Sequence, residues 1–241
     1  MRRQLVPSRT DAVRAVEGGR VLVNGSLADK PSRLVALGDA VTLQGPPPRF
    51  VSRGGDKLDA ALERFGVDVT GWRVLDAGTS TGGFTDALLQ RGVAEVVALD
   101  VGHGQLHPRL RADPRVHVLE RFHVRDATPD AIGGVVDAVV ADLSFISLTR
   151  VLDALIRCCR PGGPMILLVK PQFEAGRAEV SRGRGVVTDP AVHAAVRDNV
   201  HAALVAHGCV VDGWMESPLR GGHGNVELLV LARTPPSGCE T

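Results

Sequence analysis

Between Arg73 and Asp100 the sequence writes one uninterrupted unit. A short apolar strand ends in an acid (Arg73-Val-Leu-Asp76), a glycine-rich turn follows (Ala77-Gly-Thr-Ser-Thr-Gly-Gly83), and a helix leads to a second strand ending in Asp100. A chain carrying such a unit is committed to a sheet with helices packed on its faces, since neither element can bury its apolar side alone. Gly78, Gly82 and Gly83, with Ser80 among them, let the backbone turn tightly and approach a ligand, while the helix Phe84 to Arg91 presents unpaired N–H groups at its start. Asp100, closing the next strand, is positioned to accept both hydroxyls of a ribose. The turn lacks the Gly-Lys-Ser/Thr of a P-loop. It also differs from a dinucleotide fingerprint, because Asp76 stands two residues before Gly78 and the later glycines are adjacent. An acid there suits a cationic ligand portion, such as the ammonium group of S-adenosylmethionine, and repels a pyrophosphate. A plain strand, turn and helix without a cofactor is the competing reading.

At 241 residues the chain has room for a small domain and a medium one. Hydrophobic residues make up 44% and charged residues 23%, the balance of a globular protein with a real core. The net charge of +1 is unevenly spread: residues 1–59 hold 10 basic against 6 acidic side chains, or +4, which leaves 18 against 21, or −3, for the remainder. A basic head on a slightly acidic body is consistent with an appendage that touches nucleic acid, and equally with a solvated surface. Cys158, Cys159, Cys209 and Cys239 form no C-x-x-C pair, so they are expected as reduced thiols of a cytosolic protein with no metal site. No apolar core follows Met1-Arg2-Arg3, and stretches such as Met165 to Val169 are far too short to span a bilayer. A cytoplasmic protein without membrane contact is therefore expected; its oligomeric state is left open. Of 28 basic residues only Lys30, Lys57 and Lys170 are lysine. Where lysine survives such an arginine bias, an ammonium able to lose its proton is one reason, because arginine stays charged.

The head, residues 1–45, opens on Ser8-Arg-Thr-Asp-Ala-Val-Arg-Ala-Val-Glu17, a short helix with a capping serine closed by Gly18-Gly19. Arg20-Val-Leu-Val-Asn-Gly25 then gives a strand and an Asn-Gly hairpin turn, and Asp39-Ala-Val-Thr-Leu43 a further strand. Gly45-Pro-Pro-Pro48 continues neither helix nor sheet and sets the boundary with a second domain, 46–241. The stretch Ser8 to Leu43, with Lys30-Pro31 and Gly38-Asp39 in step, resembles the small RNA-binding domain of the S-four type. It departs at the start, where only seven residues precede Ser8 in place of the usual opening helix; either weaker RNA capture is expected, or the helix is left out by where this sequence starts. Arg9, Arg14 and Arg20 are its candidate RNA contacts.

From Phe50 onward strands and helices alternate. Strands are expected to end near Asp76, Asp100, Glu120, Asp142 and Lys170, followed by Cys209–Trp214 and Val226–Ala232. Helices fit Asp56–Phe65, Phe84–Arg91, Ser147–Cys159 and Pro190–His207. This implies a mainly parallel sheet of about seven strands with helices on both faces and ligands at the carboxyl ends of the strands. Asp142, Lys170 and Glu227 fall at or beside strand ends, and Lys57 lies in Ser52-Arg-Gly-Gly-Asp-Lys57. Charges closing apolar strands must face the rim or be paired. A structural salt-bridge network would satisfy that demand, as would a site that deprotonates a ribose hydroxyl beside a methyl donor. A lysine serves as base only if its pKa falls from about 10.4. Lys57 near Lys170 would push that way, while Asp142 and Glu227 would oppose it and are expected to orient the ammonium groups and the hydroxyl.

The motifs Val51-Ser-Arg-Gly-Gly-Asp-Lys57-Leu, Leu75-Asp-Ala-Gly-Thr-Ser-Thr-Gly-Gly-Phe-Thr85, Asp100-Val-Gly-His-Gly-Gln-Leu106, Ala141-Asp-Leu-Ser-Phe-Ile-Ser147, Val169-Lys-Pro-Gln-Phe-Glu174 and Gly224-Asn-Val-Glu227 occur in order across the body. On these residues the body resembles the class I, FtsJ-like ribose methyltransferases, and the whole chain resembles the TlyA family. The resemblance implies a Rossmann-like, S-adenosylmethionine-dependent α/β domain behind a small α+β RNA-binding domain. It implies 2′-O-methylation of cytidine in ribosomal RNA, with ribosomal RNA or ribosomal subunits as partners. Lys57, Asp142, Lys170 and Glu227 would be its catalytic tetrad, with the donor held by Asp76, Gly78, Ser80, Gly82, Gly83 and Asp100. Phe122-His123 and His103 depart from the family pattern, and Asp126 is kept as the adenine partner. Arg53 and the loop arginines Arg177, Arg182 and Arg184 would grip RNA phosphates, although the loop could equally be solvated. A non-catalytic RNA-binding or assembly factor is the alternative, and a haemolysin, the family's older name, a third.

Overall fold

The computed structural model describes the chain except residues 1, 2, 4, 7, 8, 47, 177–182, 184, 222, 223 and 238–241, and the side chains of Thr10, Arg14 and Glu17. The capping Ser8, the Arg14 side chain, and Arg177, Arg182, Arg184 and Cys239 thus lie outside the described residues. The chain divides into two compact units, residues 1–49 and 50–241.

The first unit packs α1 (Arg9–Glu17) with β1 (Val21–Val23), β2 (Ser26–Leu27) and β3 (Val41–Leu43). Its sheet runs β2-β1-β3, all antiparallel. The hairpin turn carries Asn24 at φ 50° and Gly25 at φ 80°, the left-handed pair that matches strand twist. Asn24 Nδ2 donates to Asp39 Oδ1 at 2.8 Å, Ala40 N donates to Asn24 Oδ1 at 2.8 Å, and Ala36 N donates to Asp39 Oδ2 at 2.8 Å. The Asn-Gly and Gly-Asp motifs are therefore one hydrogen-bonded clasp. Because Asp39 and Ala40 serve it, β3 begins at Val41 and not at Asp39.

The second unit contains α2 (Gly54–Phe65), β4 (Arg73–Ala77), α3 (Gly83–Gln90), β5 (Glu95–Asp100), α4 (Pro108–Arg111), β6 (Val116–Glu120), β7 (Ala138–Ala141), α5 (Leu152–Cys158), β8 (Pro164–Val169), α6 (Pro171–Glu174), α7 (Pro190–Ala206), β9 (Val210–Glu216) and β10 (Leu228–Arg233). One seven-stranded sheet runs β6-β5-β4-β7-β8-β10-β9. Alternate residues separate its faces. Leu75, Val97, Val139, Leu167 and Val230 meet α5 and α7 through Leu155 and Val200, whereas Val74, Val96, Val140, Ile166 and Leu229 meet α2 and α3 through Leu58 and Leu88. Two covered faces explain why the strands are apolar almost without interruption. The expected helix from Ser147 is broken: a 3₁₀ turn, Leu148–Arg150, gives way at Val151 (φ −127°, ψ 0°) to α5.

The direction of β10 departs from a parallel arrangement. It is antiparallel to both β8 and β9, with Leu228 opposite Val169. A parallel strand would have put Glu227, which precedes it, on the far edge of the sheet. The reversal brings Glu227 to the rim where β4, β7 and β8 end.

Leu155 is fully buried between α5 and the sheet. Leu155→Ala should lower the unfolding free energy by about 2–5 kcal/mol in urea titration, the usual cost of a truncated core side chain; a loss under about 0.5 kcal/mol would contradict this packing.

Candidate active site

Strand order reverses between β4, whose next strand in sequence lies on one side, and β7 on the other. Ligands in such sheets gather at that point. Here the glycine turn leaves β4 with Gly78 at φ 85°, and a Cβ at this position would stand 2.5 Å from the Asp142 carbonyl oxygen. Only glycine lets the two strand ends approach so closely. Gly82 and Gly83 prove to be tight for a different reason than ligand approach: side chains there would strike Leu110 and Ser52. The turn is thus packed against α4 and against the loop that opens α2. Asp86, buried in α3, secures that loop by accepting from Val51 N at 2.8 Å, and accepts from Arg109 Nη2 at 2.7 Å.

Asp76 lies beneath the turn with no exposed surface. Its Oδ2 accepts from Thr85 Oγ1 at 2.6 Å, and its Oδ1 has no hydrogen-bond partner among the described residues. Burial, assisted by the nearby Asp142 charge, pushes its pKa up to about 7 against the pull of the Thr85 hydroxyl.

Two cavities flank the turn. The larger, about 1230 Å³, is bordered by Gly78, Ser80, Asp100, Val101, Phe122 and Val124. Asp100 braces its wall, accepting from Ser80 N and Gly102 N, each at 2.7 Å. Each carboxylate oxygen keeps lone-pair capacity for a further donor. Asp126 does not border this cavity; it is exposed at the end of a 3₁₀ turn whose Val124 and Arg125 do. His123 borders it as well, whereas His103 Nδ1 pairs with Glu120 at 2.8 Å. The smaller cavity, about 180 Å³, lies between Gly78–Thr81 and Gly83 on one wall and Asp142, Ser144 and Lys170 on another.

The four charged candidates sort into two ion pairs. Lys170 Nζ stands 2.6 Å from Asp142 Oδ1, and Lys57 Nζ stands 2.5 Å from Glu227 Oε2. The first pair borders the smaller cavity; the second is buried and borders neither. Gly221 leaves room for the Glu227 carboxylate, and Ser217 N donates to the Glu227 carbonyl at 2.9 Å.

Sequence reasoning assigned no role to Phe145. This residue sits at φ 64°, a conformation costing an L-residue roughly 1–2 kcal/mol, and it is 91% exposed. Its ring meets that of Phe173 at 5.1 Å between centroids, and Lys170 Nζ lies 5.9 Å from the Phe173 ring centre. An exposed aromatic face beside a charged pair is a surface on which a planar base can stack. Arg9 is exposed, Arg20 donates to the Gln44 and Gly45 carbonyls at 3.2 and 3.3 Å, and Arg53 Nη2 donates to the Arg220 carbonyl at 2.7 Å.

The FtsJ-like methyltransferase family matches residues 50–234, and the S4 domain family matches residues 2–41. The chain belongs to the FtsJ-like methyltransferases. It is 49% identical to the 16S/23S rRNA (cytidine-2′-O)-methyltransferase TlyA of Mycobacterium tuberculosis, over 97% of this chain and 87% of that protein, which shows membership of the TlyA group. Among solved structures, a Streptococcus thermophilus protein described as a hemolysin is 41% identical with a TM-score of 0.79, covering 98% of this chain and 88% of its own. The N-methyltransferase NodS of Bradyrhizobium japonicum, solved with S-adenosyl-L-homocysteine, shares the fold at 14% identity and a TM-score of 0.55, covering 93% of this chain and 99% of its own. The body is accordingly a Rossmann-like methyltransferase domain of the S-adenosylmethionine-dependent kind, and an S4 domain precedes it.

The buried Asp76 gives this FtsJ-like domain a pH signature. With its folded pKa raised to about 7, the group contributes stability that is full below its unfolded value of about 3.9 and is lost as pH rises through the folded value. Asp76→Asn keeps an acceptor for Thr85 and does not titrate. Its melting temperature relative to the parent should therefore rise by roughly 5 °C or more between pH 5 and pH 8; an unchanged difference in calorimetric scans would show that Asp76 stays ionised.

Proposed function

We propose that the protein transfers a methyl group from S-adenosylmethionine to the 2′-hydroxyl of a cytidine ribose in ribosomal RNA, with residues 1–45 capturing RNA and 46–241 carrying out the transfer. The observation that carries this reading is the smaller cavity, where the glycine turn and the Lys170–Asp142 pair face one space. Residues Gly78 to Gly83 and Asp100 would hold the donor. Asp100 retains lone pairs for ribose hydroxyls, and Val101, Phe122 and Val124 offer an apolar wall to an adenine ring. When bound, the donor supplies a sulfonium methyl carbon open to nucleophilic attack.

The chain's own part is to remove a proton and to align the acceptor. A ribose hydroxyl is a weak nucleophile until its proton is taken, and alignment contributes much of the gain in such transfers. Lys170 takes that proton after releasing one of its own to water: the ribose O–H bond breaks, an N–H bond forms, and Asp142 holds the resulting ammonium. Lys57 and Glu227, buried behind the rim, have a positioning role. Phe145 and Phe173 offer a stacking face to the target base. The similarity to the 16S/23S rRNA (cytidine-2′-O)-methyltransferase of Mycobacterium tuberculosis supports this reading. No observation on this chain favours lysis; among the described residues no helix is long and apolar enough to cross a membrane.

Lys170→Ala should reduce methyl transfer to ribosomal subunits by about 100-fold or more, the usual contribution of a positioned base. Donor affinity, measured by calorimetry, should stay within about threefold, since Lys170 acts on the acceptor. Transfer at the parent rate would remove Lys170 from this role.

A further inference from the structure

Lys170 has a second partner besides Asp142: its Nζ donates to Ser144 Oγ at 2.9 Å. Asp142 and Ser144 flank Leu143, which is turned inward and buried, so the two polar residues approach the same lysine from the strand end of β7. Ser144 borders both cavities.

We propose that Ser144 is a positioning residue that aims the lone pair of Lys170 at the reacting hydroxyl. This inference rests on the function proposed above. A tetrahedral amine nitrogen bonded to its own carbon has three remaining directions. In the ammonium all three are N–H bonds; in the neutral base two are N–H bonds and the third is the lone pair. Asp142 Oδ1 is an ion-pair partner at 2.6 Å that carries no hydrogen bond, so its attraction alone leaves the amine free to turn about its Cε–Nζ bond. The bond to Ser144 Oγ is the directed one: it fixes an N–H, and with the Asp142 charge drawing a second N–H to its own side the lone pair is left to the cavity. The hydroxyl achieves this without a second negative charge, which would hold the proton on nitrogen. The proton transfer then balances: the ribose O–H breaks, the third N–H forms with the contacts to Asp142 and Ser144 unchanged, and the ammonium gives a proton to water before the next turnover.

The test compares Ser144→Ala and Ser144→Thr with the parent and with Lys170→Ala. The acceptor is ribosomal subunits from cells lacking the protein, and the donor is radiolabelled S-adenosylmethionine. Ser144→Ala should lower kcat about tenfold or more, with KM for the subunits and calorimetric donor affinity within about twofold. Ser144→Thr, which keeps the hydroxyl, should recover most of kcat. An independent readout needs no turnover. Because Lys30, Lys57 and Lys170 are the only lysines, ¹⁵N-lysine NMR can follow each ammonium group, and Ser144→Ala should speed hydrogen exchange at Lys170 while leaving Lys57 unchanged. A kcat within twofold of the parent for Ser144→Ala overturns the proposal. So does a parallel loss of donor affinity, which would assign Ser144 to the donor site, or unaltered Lys170 exchange. A parent enzyme that transfers no methyl, or an active Lys170→Ala, would instead defeat the underlying function, a result distinct from an active parent with a fully active Ser144→Ala.

Discussion

The ion pair between Lys57 and Glu227 spans 170 residues of sequence and closes to 2.5 Å with both side chains almost out of solvent. Neither charge is tolerable in that place alone; removing one partner of a buried pair typically costs about 3–5 kcal/mol. That demand constrains the body. α2 must lie with its first turn at the rim, and the strand after Glu227 must start at the rim and run away from it. In a sheet whose other strands around the site end there, this is possible only if β10 is antiparallel, as observed. The pair thus joins the first helix of the methyltransferase domain to its last strand.

A second constraint is backbone proximity at the strand reversal. Gly78 against the Asp142 carbonyl, Gly83 against Ser52, and Asp86 holding Val51 N form a chain of close contacts from β7 through the turn to the entry of α2. The proposed donor wall and the two lysine-bearing elements are fixed to one another through main chain and short side chains, without long flexible groups between them. Orientation to a fraction of an ångström is what alignment of three reacting atoms requires. Phe145, in its left-handed conformation, is the local cost of turning the chain sharply after Asp142 and Ser144 have both faced Lys170.

Much of this was legible in the sequence, for reasons that differ by element. The body strands declare themselves as apolar runs closed by a charge, since both sheet faces are covered and only the rim accepts polarity. The Asn24-Gly25 hairpin follows from φ alone. The short helices α4 and α6, at four residues each, have no period to detect. The break at Val151 is also invisible, because residues on both sides of it suit a helix. Strand direction has no local signature at all: Glu227 was assigned to the rim from a parallel sheet, and it is there because β10 is not parallel. At the site, residue types pointed to a charged set, but their sorting into Lys57–Glu227 and Lys170–Asp142 depends on tertiary placement. The exposed position of Asp126 and the cavity-facing position of its neighbour Val124 differ by a turn geometry that spacing does not encode.

The scarcity of lysine has a practical corollary. Lys57 is buried against Glu227 and Lys170 stands at a cavity wall with Asp142 and Ser144, which leaves Lys30 as the one exposed lysine. It lies in the S4 unit, away in sequence from every residue of the proposed site. Amine acylation of the RNA-binding head would therefore fall on Lys30 and on any free N-terminal amine, so that a fluorophore or tether can be placed there while Lys57 stays shielded by Glu227.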